Sequence, residues 1–284
     1  MRTPTAIATT TSRPLPNPLR DGSRARRAAR RPPTRSLAGV VLAVTVGGLL
    51  ATVAPVAARI RRLRTRAAAV PVLDHELHLP GTSPPRTVAV LGDSAAAGHG
   101  LADPELALPR RVGRGLWAVD GRETHVRCAA VSGADTAAVT SSQLDDARDA
   151  EVVVLLAGVN DALSPRRRLR PAERTYERLL ATLTADGSRR VVAVTCPDLS
   201  VAPALPRVLR PVVGLRCRSM ARRQQRLAGR HGVGVVGLPA MVLPPEVVGD
   251  DGLHPGVEGH RRLAEAIVDT LREQRRATVP AGVD

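Results

Sequence analysis

Four short segments carry side chains able to act together on a carbonyl group. Ser94 stands in Gly92-Asp93-Ser94, and Gly133 in Val131-Ser132-Gly133-Ala134. Asn160 stands in Gly158-Val159-Asn160-Asp161, and Asp251 and His254 share Asp251-Gly252-Leu253-His254-Pro255. A serine hydroxyl is a weak nucleophile until a base takes its proton. His254 is the candidate base, and Asp251, three residues earlier on a turn, could hold the imidazole in the required tautomer. An oxyanion forming on the substrate needs fixed donors. The Ser94 N–H, the Gly133 N–H and the Asn160 amide are candidates, and the missing side chain at Gly133 lets backbone approach a substrate. Each group alone has a plain structural reading. Gly-Asp-Ser can be only a turn, Asn-Asp only a helix cap, and Asp and His before a helix only a cap and a surface residue. Their joint placement is what argues for chemistry.

That placement depends on the elements between them. Short apolar runs at Thr87–Leu91, His125–Val131, Glu151–Ala157, Arg190–Thr195 and Gly232–Val236 have the length of strands buried on both faces. Pro171–Asp186, Val208–Arg230 and Val257–Gln274 have helical spacing; in the first, Tyr176, Leu179, Leu180 and Leu183 share a face. Strands alternating with helices predict a doubly wound parallel sheet with helices on both faces. Ligands bind such sheets at the carboxyl ends of the strands. The first three reactive groups fall there, and the fourth precedes the last helix.

The chain thereby resembles the SGNH (GDSL-type) hydrolases. The resemblance rests on GDSAAAGHG from Gly92, on Gly133, on GVND from Gly158 and on DGLHP from Asp251, and covers roughly residues 86–275. It implies a flavodoxin-like three-layer α/β/α fold with a five-stranded parallel sheet. It also implies Ser94 as nucleophile, His254 as base, Asp251 as orienting acid, and an oxyanion hole of Ser94, Gly133 and Asn160. Ala95 stands where many relatives carry a larger apolar residue, which bears on pocket shape. The implied reaction is hydrolysis of an O-acyl ester of a small molecule or lipid through an acyl-serine, with no cofactor and no metal. An acyltransferase, lysophospholipase or thioesterase on the same triad is the alternative within this chemistry. A non-catalytic protein adhering to a membrane surface is the alternative outside it. No Gly-x-Ser-x-Gly elbow is present, which excludes the α/β-hydrolase reading.

Composition excludes further classes. All 42 basic residues are Arg; without Lys there is no Schiff-base, P-loop or kinase lysine. Residues 1–66 hold 14 Arg and one acid (+13), and residues 67–284 hold 28 Arg and 25 acids (+3). The body is therefore nearly neutral, and with one Trp, one Tyr and no Phe it lacks a base-stacking platform, so no nucleic-acid partner is expected. Trp117 and Tyr176 are assigned to the core. His75 and His78 are expected to be solvated, His99 to be a loop residue or to line the cleft, and His260 to be structural. Asp93 is expected to buttress its turn and Asp161 to cap a helix. Cys128, Cys196 and Cys217 are expected as buried thiols, with a Cys196–Cys217 disulfide as the alternative. Arg166, Arg167 and Arg168 are expected in a solvated loop, the alternative being an anionic head-group site.

Residues 1–36, rich in Arg and Pro, are expected to be a disordered arm. Leu37–Ala58 runs 22 residues without a charge, and a helix of that length spans roughly 33 Å, enough for a hydrocarbon core of about 30 Å. The expectation is a transmembrane helix at 37–58, a linker at 59–85, the hydrolase domain at 86–276 and a tail at 277–284. The protein would then be single-pass, with its catalytic domain extracytoplasmic. The alternatives are a signal peptide cleaved near Val56-Ala57-Ala58, giving a secreted protein, and a buried helix.

Overall fold

The computed structural model describes residues 75–238 and 245–278. Six strands form one sheet: β1 (Leu77–Leu79), β2 (Thr82–Gly92), β3 (Arg122–Cys128), β4 (Val152–Leu156), β5 (Arg190–Val194) and β6 (Gly234–Val236), in the order β1-β3-β2-β4-β5-β6. β2 to β6 are parallel, in registers such as Val88↔Val152 and Val154↔Val192. β1 runs antiparallel to β3. The expected purely parallel, five-stranded sheet is thus corrected to a mixed, six-stranded one. Three residues, ended by Pro80, give no periodicity to read, so β1 was invisible in sequence. Its position follows from the Pro80-Gly81 turn. A Cβ on Gly81 would lie 2.3 Å from the Gly121 carbonyl oxygen, and Thr82 N–H bonds that same oxygen at 2.9 Å.

Alternation along the central strands builds two cores. Val88, Val90, Val152, Val154, Val192 and Val194 face α1 (Leu108–Asp120) and α6 (Val257–Thr278), meeting Leu108, Val112, Leu116, Ile267 and Leu271. Ala89, Leu91, Val153, Leu155 and Ala193 face the other layer, formed by α2 (Thr136–Ser142), α4 (Leu169–Thr184) and α5 (Arg210–Arg230). Between β4 and α4 lies the short α3 (Val159–Leu163). Each buried Leu or Val contributes roughly 1.5–3 kcal/mol, so two faces of largely aliphatic residues hold the three layers. Tyr176 is fully buried among them. Trp117 is not: it is 39% exposed, with its indole N–H on the Pro80 carbonyl. It lies on the outer face of α1, where the polar tip reaches the turn before β2.

Local signals place the helix ends. Asp135 caps α2 by accepting from Ala138 N–H, and Gly121 ends α1 in the left-handed region at φ 65°. All three cysteines are free thiols. Among the described residues no helix is long and apolar enough to cross a membrane. The span expected at 37–58 lies outside the described residues, as do the arm at 1–36 and most of the tail. This corrects the single-pass anchor, the membrane partner and the extracytoplasmic placement built on it: among the described residues there is no transmembrane helix to carry them. By sequence, the segment's richness in Ala, Val and Gly, with few Leu, makes it a moderate span.

Candidate active site

β2, at the centre of the sheet, ends in a turn that only glycine permits. Gly92 has φ 151°, and a Cβ there would lie 2.2 Å from the Leu156 carbonyl oxygen at the end of β4. Asp93 N–H bonds that oxygen at 3.1 Å. The chain then coils, with Ala97 N–H on Asp93 O and His99 N–H on Ser94 O, which presents the Ser94 side chain above the strand ends. Gln143, buried after α2, accepts from Gly92 N–H at 2.7 Å and donates to Gly92 O at 2.9 Å. This clamp was missed in the sequence, where a lone Gln carries no signal.

Asp251 and His254 reach the same place from the loop before α6. The loop is closed by Gly249 N–H on His254 O and by Gly256 N–H on Val247 O. Gly252 turns it at φ 70°, and its carbonyl accepts Ala204 N–H. The structure brings together the three residues expected from sequence. Ser94 Oγ lies 2.8 Å from His254 Nε2, and His254 Nδ1 lies 2.5 Å from Asp251 Oδ2. The other Asp251 oxygen accepts from Leu253 N–H and His254 N–H, at 2.8 and 2.9 Å. Partial burial alone would raise the Asp251 carboxyl, but these bonds and the His254 ring hold it well below the usual carboxylate range. It is therefore a fixed negative charge across the pH range in which an imidazole titrates.

The remaining expected residues come from β3 and β4. Gly133 has φ 82°, and a Cβ there would meet nothing within 4 Å, so its backbone borders open space. Asn160, on α3, donates from Nδ2 to Ala134 O at 2.8 Å, with Asp93 Oδ2 at 3.5 Å. That bond sets the Asn160 amide beside the Gly133–Ala134 backbone. Asp161 does bind at a helix start, but of a helix other than its own: its Oδ2 accepts from the N–H and hydroxyl of Thr136 on α2. Gly158 leaves room for Met220 and Gln224 of α5, and Gln224 ties Ala157 O to Cys196 N–H. Two buried glutamines thus lock the strand ends that hold the site.

Other titratable groups surround the triad. Asp93 is buried, and desolvation raises its carboxyl to about 6 against the pull of Ala95 N–H and the His254 charge. His99 lines the cleft: its ring packs on His254 with centroids 4.3 Å apart and planes tilted by 52°. Desolvation and the His254 charge lower its pKa. Of the Arg166–Arg168 run, Arg167 pairs with Asp135.

Comparison with known proteins accords with this geometry. A profile of the GDSL-like lipase/acylhydrolase family matches residues 90–262. A GDSL-like esterase of Mycobacterium tuberculosis is 27% identical over 194 residues, 65% of this chain and 61% of its own. The chain thus spans about 61% of the length of that curated relative. Among solved structures, a lipase/acylhydrolase of Enterococcus faecalis is 26% identical at a TM-score of 0.51, covering 70% of this chain and 100% of its own. The structure of TesA is 21% identical at a TM-score of 0.54, covering 66% of this chain and 99% of its own, a likeness of fold. With the profile covering more than half of its residues, the chain belongs to the GDSL-like lipase/acylhydrolase family.

Proposed function

We propose that the protein is a serine esterase that cleaves O-acyl esters of small molecules or lipids through an acyl-serine intermediate. Family membership carries the reaction class, carboxylic ester hydrolysis. One observation carries the residue roles: the continuous chain from Ser94 Oγ to His254 Nε2, and from His254 Nδ1 to Asp251. Ser94 Oγ attacks the acyl carbonyl while its proton passes to His254 Nε2. Asp251 holds Nδ1–H and stabilises the imidazolium. Ser94 N–H, Gly133 N–H and the Asn160 amide donate to the developing oxyanion, Asn160 giving up its long 3.5 Å bond to Asp93 Oδ2 to do so. Collapse of the tetrahedral adduct breaks the ester C–O bond, and His254 returns the proton to the leaving alkoxide. Water, deprotonated by the same imidazole, then releases the acid and regenerates Ser94. The esterase description of the mycobacterial relative supports the same assignment.

A fluorophosphonate probe tests this without a guess at the natural ester. It should label the wild-type chain once and leave Ser94→Ala unlabelled, and Ser94→Ala should lose essentially all hydrolysis of a short p-nitrophenyl ester with its fold intact. A loss of only a few-fold would overturn the role of Ser94. Running the same reaction with a competing alcohol separates water from alcohol as the acyl acceptor.

A further inference from the structure

Away from the catalytic cleft, the outer edge of the sheet holds a second cluster of chemically able side chains. His78 on β1 stands directly across from His125 on β3 in the antiparallel register. Glu123 lies two residues before His125, so the strand's period of two puts both on one face. Thr124 and Val126, on the opposite face, are buried; a Cβ on Gly113 of α1 would come within 2.4 Å of Val126. The Nε2 atoms of His78 and His125 each lie 3.0 Å from the same oxygen, Glu123 Oε1. The two rings stack, centroids 4.3 Å apart and planes within 12°. One donor atom from each of the three residues lies within 4.8 Å of the others.

We propose that His78, Glu123 and His125 form a surface site for a late first-row divalent metal ion such as Zn²⁺ or Cu²⁺. The donor set suits it: two imidazoles and a carboxylate are the ligands these ions prefer. The spacing suits it as well. At a metal–donor distance of about 2.1 Å, adjacent ligands at right angles are about 3.0 Å apart and tetrahedral ones about 3.4 Å, so both nitrogen–oxygen distances match, and the stacked rings turn so that both in-plane lone pairs meet one ion. One carboxylate oxygen faces both ring nitrogens. The side chains are 56%, 32% and 44% exposed for His78, Glu123 and His125, so an ion has entry and its remaining positions can take water.

Such an ion would tie β1, which has three residues, to the sheet across its strand pair. Two residues before β1's first residue, the His75 ring bonds Ala97 O in the segment following Ser94. The site therefore braces the edge whose inner end touches the nucleophile's loop.

The experiment is calorimetric titration of Zn²⁺ into the full chain after chelator treatment, with Cu²⁺ electron paramagnetic resonance as the second readout. His99, Asp251 and His254 also offer three donors within the same distance, so His254→Ala is the control. Every histidine and cysteine lies at or beyond residue 75, which limits the competing ligands. Wild type should bind one equivalent that survives His254→Ala. His78→Ala or His125→Ala should weaken it by roughly 100-fold, and Glu123→Gln by roughly 10-fold, since removing a direct ligand costs at least as much as losing an outer partner. The Cu²⁺ spectrum should show two coupled imidazole nitrogens, falling to one in His125→Ala. All three residues are at the surface, and circular dichroism checks that the variants fold. No saturable binding by wild type, binding unchanged in both histidine variants, or binding lost in His254→Ala would each overturn the proposal.

Discussion

Asn160 is oriented by one bond and, in the proposed role, works through another. Ala134 O holds its Nδ2 at 2.8 Å, and the longer bond to Asp93 Oδ2, 3.5 Å, is the one the oxyanion would replace. Asn160→Ala should lower kcat by about 10²–10³ while changing KM less, because the donor tightens mainly in the transition state. Steady-state kinetics on a short ester check this; a raised KM with unchanged kcat would make Asn160 a substrate-binding residue instead. His260 illustrates a different effect. It is fully buried at the start of α6, and neither ring nitrogen has a hydrogen-bond partner among the described residues. Desolvation, with Arg111, His75 and His254 adding repulsion, lowers its pKa from 6.5 to about 4. The unfolded chain therefore takes up this proton first as pH falls. The stability His260 confers is complete above pH 6.5 and is lost as pH falls towards about 4. A shift of that size is worth roughly 3 kcal/mol. His260→Leu should thus gain stability relative to wild type as pH drops through this window. Urea midpoints at both ends measure it, and parallel pH curves for the two proteins would refute it.

At the level of elements, the site depends on how β2 and β4 end. Gly92 is the tightest point, with the Leu156 carbonyl oxygen 2.2 Å from where a Cβ would sit. Gly92→Ala must push apart two central strands and strain a positive φ, so it should cost more than about 3 kcal/mol and remove activity together with stability. Thermal unfolding distinguishes this from a purely catalytic defect. Gln143→Leu is the milder probe. It keeps the volume but leaves Gly92 N–H buried without its acceptor, a loss of roughly 1–3 kcal/mol. Urea denaturation should show that loss, and an unchanged midpoint would mean that the turn holds without the clamp. Gly92 was read in the sequence as part of a motif. Gln143 and Gln224 were not legible, because a buried glutamine is defined by the distant backbone it satisfies.

At the scale of the molecule, charge and structure divide the chain differently. Residues 1–66 carry +13 of the +16, yet the sheet begins at Leu77. A chain starting at Val70 keeps His75, β1 and everything after them, and should hydrolyse a small ester as well as the full chain. A chain starting at Thr82 loses the His75–Ala97 bond and exposes the β3 edge. It should unfold at lower temperature and self-associate. Equal melting temperatures for the two would show that β1 adds nothing to the fold.

The sequence by itself determined the parallel centre of the sheet, because strands such as Val152–Leu156 are continuously apolar and need cover on both faces. It also pointed to the proposed reactive set, because Ser94, Gly133, Asn160, Asp251 and His254 each sit in a local turn or strand-end pattern that can be read within a few residues. Only the tertiary structure decided what depends on distant partners. The antiparallel β1 exists through its pairing with β3. Trp117 lies outside because α1 turns that face away from the sheet, and His99 lies in the cleft because the loop after Ser94 folds it onto His254. Periodicity records which face of an element is buried. It does not record which residue 40 or 160 positions away will be found opposite.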